Sequence, residues 1–312
     1  MILKKLALSI LNPILNYHWK ERKISKGNDF PELVFYVIRR RDRNVGLGSN
    51  VIVFLGHFNY AKLRGYIPVV DLKNYRSIFS NKKYNELNYW EIFFKQPTEY
   101  DLNKIIKAKN IILSSGESSL VRPNVTYRYF TNYNDITFWR SIVKQYIKFS
   151  NFVENEILNH MNYFGEMQNK VLGVLARGTD YEHLKPKGHP IQPDITKLFE
   201  KIDKLIITYG YKFIFLTTED GVLFSKFKDK YGDMLFSYEI DRIIYNKTET
   251  RYLSKFKKDL NINEIESHSA YISSLAIISN LNHIVCGMTS GSLVSLLFSD
   301  SLEAETFDLG VY

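Results

Sequence analysis

Short apolar runs, dense in β-branched and aromatic residues, alternate with longer helical stretches along this chain. Leu33–Ile38 (LVFYVI) reads as a buried strand. It leads into a glycine turn, Asn44–Asn50 (NVGLGSN), and then a helical stretch to about Arg64 that Gly65 caps. Ile67–Asp71 and Asn110–Ser114 read as the next strands, and Asp135 to about Tyr163 as one long helical region. The second half repeats the rhythm. Strands are expected at Val171–Ala176, Lys212–Thr217, Met234–Tyr238 and His283–Cys286. Helices are expected at Pro193–Tyr209, Val222–Tyr231, Glu264–Leu281 and Ser290–Phe298. Such alternation implies parallel strands joined by right-handed helical crossovers.

The two halves meet in the polar stretch Tyr163–Lys170. At 312 residues the chain has room for about two domains. The expected architecture is therefore α/β, with two facing Rossmann-like domains at 1–165 and 166–312. One cysteine, Cys286, excludes an intramolecular disulfide and any Cys-rich zinc site. Lys and Arg total 42 against 33 Asp and Glu, a formal charge of +9, which favours an anionic partner without choosing one. The basic segments are scattered, so a nucleic-acid face is not expected. Residues 1–26 join a short apolar run to Lys20, Arg22, Lys23 and Lys26. That segment reads either as a helix packed on the body with a basic tail or as a peripheral contact with an anionic membrane. It is far short of the roughly 20 apolar residues of a spanning helix, and it lacks a signal-peptide cleavage pattern. The expected location is the cytoplasm, with the inner face of the inner membrane as the alternative.

In open parallel sheets, ligands bind at the carboxyl ends of strands, and four segments lie there. Gly46, Gly48, Ser49 and Asn50 form either a plain turn or a loop that brings backbone N–H groups to a phosphate. Arg177-Gly178-Thr179-Asp180-Tyr181-Glu182 follows a strand directly, with His183, Lys185, Lys187 and His189 downstream. An arginine at a strand end suits a phosphate or carboxylate, and so dense a loop reads as an active-site loop. A surface Arg177–Asp180 ion pair is the plainer alternative. Glu219 and Asp220 close another strand, placed to bind a nucleoside or to cap the next helix. Thr289 and Ser290 open the last helix, as a phosphate cradle or as its cap. Cys286, inside an apolar run, is expected to be a buried inert thiol.

Together these segments resemble the fucosyltransferases of the α-1,6 and protein-O type. Arg177, Thr179 and Asp180 match a strand that runs into Arg-Arg-Thr-Asp, with Gly178 at the second arginine. His189, Pro190 and Ile191 match a downstream His-Pro-Ile, FLTTED at 215–220 resembles a strand ending in Thr-Asp-Asp, and IVCGMTS at 284–290 resembles LVCTFSS. The chain is also similar to bacterial polysaccharide-biosynthesis proteins sharing VGLGS, GYIPVVD and ARGTDY. The resemblance implies a GT-B glycosyltransferase that inverts the anomeric centre, uses no metal or other cofactor, and takes a nucleotide sugar, GDP-fucose first among them. It implies donor contacts from Gly46, Gly48, Ser49, Asn50, Arg177, Thr179, His189, Glu219, Asp220, Thr289 and Ser290. The acceptor implied is a bacterial surface-glycan precursor of a capsule or lipopolysaccharide, with a lipid-linked form among the candidates. The family's loop carboxylate falls on Lys185 here, so Glu182 is taken as the base and Asp180 as second choice. Another nucleotide sugar, or a non-catalytic nucleotide-binding scaffold, is the alternative reading.

Overall fold

The computed structural model describes residues 19–41, 45–75, 87–116, 125, 133–245 and 264–312. Residues 1–18, which hold the apolar part of the expected membrane-contact segment, and the first residue of the expected glycine turn, Asn44, lie outside these. The chain divides into two compact units, one of residues 1–45, 52–125 and 145–148, the other of 46–51, 126–144 and 149–312. The second unit thus takes in stretches that the expected boundary at 165 assigns to the first half.

The first unit is built on a four-stranded sheet. Its strands are β1 (Arg22–Ile24), β2 (Phe35–Ile38), β3 (Ile67–Val70) and β4 (Ile111–Leu113), in spatial order β1-β4-β2-β3. β2 pairs in parallel with both β3 and β4, whereas β1 pairs antiparallel with β4. The run Arg22-Lys23-Ile24, expected as part of a helix or basic tail, is therefore an edge strand. Charged residues suit an edge, because they discourage further pairing. Trp19, just before it, lies 5.3 Å from the Arg39 guanidinium and edge-on to Tyr75. Between β2 and β3 runs α1 (Leu47–Arg64), and α2 (Tyr89–Phe93) precedes β4. Phe35, Val37, Val69, Ile111 and Leu113 form the core under Ile105 and Ala108. Burying side chains of this size contributes about 1.5–3 kcal/mol each relative to exposure.

The second unit carries a five-stranded sheet, all parallel. Its strands are β5 (Val171–Leu175), β6 (Phe213–Thr217), β7 (Leu235–Phe236), β8 (His283–Gly287) and β9 (Glu303–Phe307), in order β7-β6-β5-β8-β9. β5 is buried along its whole length, as its unbroken apolar run requires of a central strand. The expected long helix over 135–163 is two helices, α3 (Tyr133–Tyr146) and α4 (Asn151–Phe164). Ser150 starts the second by accepting the Val153 N–H. Arg140 of α3 donates from Nε to the Leu296 carbonyl and from a terminal nitrogen to that of Asp300. A fully engaged guanidinium thereby satisfies carbonyls at a helix C-terminus, where positive charge is favoured. The polar stretch at 165–170 is a 3-10 turn.

The crossovers are α5 (Asp180–Leu184) and α6 (Ile195–Tyr209) after β5, α7 (Gly221–Tyr231) after β6, α8 (Glu264–Ser279) before β8, and α9 (Ser290–Phe298) between β8 and β9. α6 shows how local sequence fixes an element. Asp194 caps its start by accepting the Lys197 N–H, and Leu198, Ile202 and Leu205, three to four residues apart, bury one face. Gly210 closes it with φ +66°. The expected strand at 234–238 shortens to β7, preceded by a 3-10 turn at 232–234. Cys286 is fully buried within β8, and burial pushes its thiol pKa up to about 12.

Candidate active site

The order of the second sheet reverses between β5 and β8. From that point the chain runs outward to β6 and β7 on one side and to β9 on the other. The crevice outside the carboxyl ends at such a switch point is where open α/β sheets bind ligands. Arg177 lies there, two residues beyond β5. Its two terminal nitrogens are both engaged. One donates to Glu219 Oε2 at 2.7 Å and the other to Asp180 Oδ1 at 2.9 Å. Its guanidinium also lies 5.2 Å from the Tyr181 ring, and its Nε is buried without a partner among the described residues. Burial would pull the guanidinium pKa down, but Asp180 and Glu219, with smaller contributions from Tyr181 and Tyr271, hold it above the usual arginine value. The Arg177–Asp180 pair is thus real but belongs to a half-buried cluster, with side chains 23% and 7% exposed.

Asp220 organises the loop. Its Oδ1 accepts the N–H groups of Val222 and Leu223, capping α7, and its Oδ2 accepts the Thr179 N–H at 2.8 Å. That contact holds Thr179 at φ +50°, a conformation a β-branched residue rarely adopts and one that is kept only where neighbours enforce it. It also explains Gly178. A Cβ there would coincide with the Asp220 carboxylate and lie 2.9 Å from Leu223 Cδ1. The position at which the resemblance expects a second arginine has no room for a side chain.

Glu219 and Asp220, paired in the sequence reading, part company here. Glu219 lines a small cleft beyond β6, between the apolar Leu216, Ile240 and Ala270 and the hydroxyl side chains of Thr217, Tyr238 and Tyr271; its surface is mostly apolar and it has room for about one water. Asp220 does not line it; both its oxygens serve backbone N–H groups. Thr217 is buried in that lining, and its hydroxyl has no partner among the described residues.

At the β8 end, Thr289 caps α9. Its hydroxyl accepts the Ser292 N–H at 3.1 Å, and Ser292 Oγ accepts the Thr289 N–H and donates to the Gly287 carbonyl. The Thr289 side chain is engaged within this cap, so a ligand would meet the backbone of the first turn and the half-buried Ser290. The Gly46–Asn50 segment comes to the same place, although it lies far off in sequence. Gly48 has Ser290 and Gly291 as backbone neighbours, both 3.5 Å from where its Cβ would be. Gly46 is exposed, Ser49 half-buried and Asn50 buried.

His189 packs edge-on to Tyr181, with its Nδ1 3.2 Å from the phenol oxygen. The loop that carries it is clamped by residues 310–312. The Gly188 N–H donates to the Tyr312 carbonyl, and the Tyr312 N–H donates to the His189 carbonyl. Gln192 holds the other side, donating to the carbonyls of Pro190 and Met288. Glu182, the expected base, is exposed in the single-turn helix α5, and Asp180 Oδ1 also accepts from the Thr179 hydroxyl.

The sequence reading placed Tyr181 in the active-site loop without a role, and it did not point to Tyr271 or Gln192. Strand ends were its guide, and Tyr271 lies inside a helix. Its only signal was the one aromatic ring of the Phe, Tyr or Trp kind in α8, midway between Glu264, Glu266 and His268 and an apolar second half. All the residues named here belong to the second unit.

No protein-family model matches the chain, and no curated protein matches it in sequence. Solved structures do. The NodZ α-1,6-fucosyltransferase soaked with GDP-fucose superposes with a TM-score of 0.50 at 12% identity, covering 89% of this chain and 96% of that one. POFUT1 in complex with GDP gives a TM-score of 0.50 at 11% identity, covering 88% and 99%. The fold is thus that of GT-B fucosyltransferases, the class implied by the motifs around Arg177.

Proposed function

We propose that the protein is an inverting glycosyltransferase that needs no metal and moves fucose from GDP-fucose onto a bacterial surface-glycan precursor. The observation that carries this reading is Arg177 at the β5/β8 switch point, beside Glu219 and the small cleft that Glu219 lines. The guanidinium suits a diphosphate, and the cleft has to open to take the nucleoside. In this reaction an acceptor hydroxyl attacks the anomeric carbon, and the bond to the diphosphate oxygen breaks with its electron pair leaving on the diphosphate. Positive charge fixed beforehand at that developing anion is a large catalytic contribution. The hydroxyl proton passes to a carboxylate. Glu182, exposed on the same loop, is the proposed base, because both oxygens of Asp220 and one of Asp180 are already engaged. The acceptor, with a lipid-linked precursor at the inner membrane among its forms, is the least constrained part of the reading. No helix among the described residues is long and apolar enough to cross a membrane, and Lys20, Lys23 and Lys26 are exposed.

The test is transfer or hydrolysis of GDP-fucose by the purified protein in the presence of EDTA, together with thermal shifts by GDP and UDP. A ligand at 100 times its Kd stabilises the fold by about 2.7 kcal/mol, so the correct nucleotide should raise the midpoint most. A larger shift with UDP would reassign the donor. No shift with any nucleotide, and no turnover, would refute the reading.

A further inference from the structure

We propose that Tyr271 is a further nucleotide-binding residue of this site, its phenol donating a hydrogen bond to the diphosphate that Arg177 receives. The inference rests on the reading of the site as one for a nucleotide diphosphate. Its grounds are four. First, the Tyr271 hydroxyl stands where a Cβ on Gly291 would be, and 3.3 Å from where one on Gly48 would be. It therefore lies against the first turn of α9 and the first turn of α1, where backbone N–H groups have no intrahelical partner. Second, Tyr271 is within electrostatic range of the Arg177 guanidinium, the last and smallest of the groups that raise its pKa. Third, Tyr271 lines the same small cleft as Glu219, the carboxylate that Arg177 donates to, and as the buried Thr217, whose hydroxyl has no partner among the described residues. Fourth, Gly178 has no room for a second cation, so another group has to supply hydrogen bonds to the diphosphate. A phenol does this without added charge, and its bond to an anionic oxygen is of the stronger, charge-assisted kind.

The geometry also accounts for the glycine at 291. An alanine there would push the phenol away, and Leu175 Cδ1, 3.3 Å off, limits escape on the other side.

The experiment compares wild type, Tyr271→Phe, Gly291→Ala and the double variant by titration with GDP and with guanosine. UDP and uridine replace them if UDP gives the larger thermal shift. Tyr271→Phe keeps the ring, and its melting temperature should stay near that of wild type. Its affinity for GDP should fall about tenfold or more, the loss expected for one hydrogen bond to a charged group, while guanosine binding is unchanged. Gly291→Ala should show the same selective loss, and the double variant should be little worse than either single one. Unchanged GDP affinity in Tyr271→Phe overturns the proposal. So does an equal loss for GDP and guanosine, which would mark a structural role. If wild type binds GDP no better than guanosine, the diphosphate reading itself fails, which is a different result from either.

Discussion

Replacing Arg177 separates its work in the fold from the work in the reaction proposed for it. In the structure it makes two charge-assisted hydrogen bonds, at 2.7 Å to Glu219 and 2.9 Å to Asp180. Arg177→Ala removes both and leaves Asp180, whose side chain is 7% exposed, without its counter-ion. Removing one partner of a fully buried pair costs about 3–5 kcal/mol. Arg177 itself is 23% exposed, so solvent screening reduces this to about 2 kcal/mol. At roughly 2–4 °C per kcal/mol in large domains, the melting temperature should drop by about 4–8 °C. Arg177→Lys keeps one positive charge but not the planar fork, and should lose about half as much. The catalytic loss should be larger than either. Removing a single group aimed at a developing anion costs on the order of 10²–10³ in kcat. The assay is release of GDP from GDP-fucose, run well below both melting temperatures with EDTA present. Turnover by folded Arg177→Ala within a few-fold of wild type would refute the role given to the guanidinium. A variant inactive only because it is unfolded would show itself in the melting curve, and Arg177→Lys, kept folded, would then decide.

Three other expectations follow from the same geometry. Gly178→Arg should not supply a second useful cation; its Cβ meets Asp220 and Leu223, so the fold should lose about 1–3 kcal/mol in urea unfolding, with no gain in GDP affinity. His57 is buried in the first unit with its Nδ1 2.9 Å from the Tyr36 hydroxyl, and burial, helped by Arg40, lowers its pKa to about 3. Between pH 6.5, the ordinary value, and about 3 the unfolded chain binds a proton the folded one refuses. Stability should therefore fall with acidification by up to about 1.4 kcal/mol per pH unit, and a His57→Gln variant that keeps the wild-type slope would contradict this. Cys286 should resist a thiol reagent at pH 8 in the native protein and react at once in denaturant; fast labelling of the native form would show that it is not sealed in β8.

The central strands were legible because each is an apolar run that only a buried parallel strand can accommodate. β2, β4, β5, β6 and β8 lie within or next to the expected spans, and so do the edge strands β3 and β7. The other two edge strands were not legible. Arg22-Lys23-Ile24 and Glu303–Phe307 carry the charged residues that an edge tolerates, and such a pattern does not stand out from a loop. The break between α3 and α4 had a local sign in Ser150, a capping residue, but the apolar spacing on either side hid it. The division into units was not legible, because the grouping of 46–51 and 126–144 with the second unit arises from contacts distant in sequence. Within the site, strand ends led to Arg177, Glu219 and the loop between them. They could not reveal Tyr271, which reaches the site from the middle of a helix. Nor could they tell Asp220 from Glu219, since two adjacent carboxylates look alike until one is seen capping α7.

That last distinction bears on how the site would work. The cluster around Arg177 holds one positive charge and two carboxylates, so it is locally negative although the chain as a whole carries +9. The guanidinium keeps N–H groups beyond the two given to Asp180 and Glu219, but two carboxylates beside the arginine repel a diphosphate, so under the proposed reading the more mobile carboxylate moves aside on binding. Asp180 is poorly placed to move. It is the more buried of the two, it opens α5, and it accepts a further hydrogen bond from Thr179. Glu219 is 18% exposed and already lines the pocket, so when displaced it stays where a nucleoside's donors lie. Exchange at a single arginine would then couple diphosphate binding to nucleoside binding, with Tyr271 alongside both. Asp220, fixed between Thr179 and α7, would hold the loop in register while its neighbour moves.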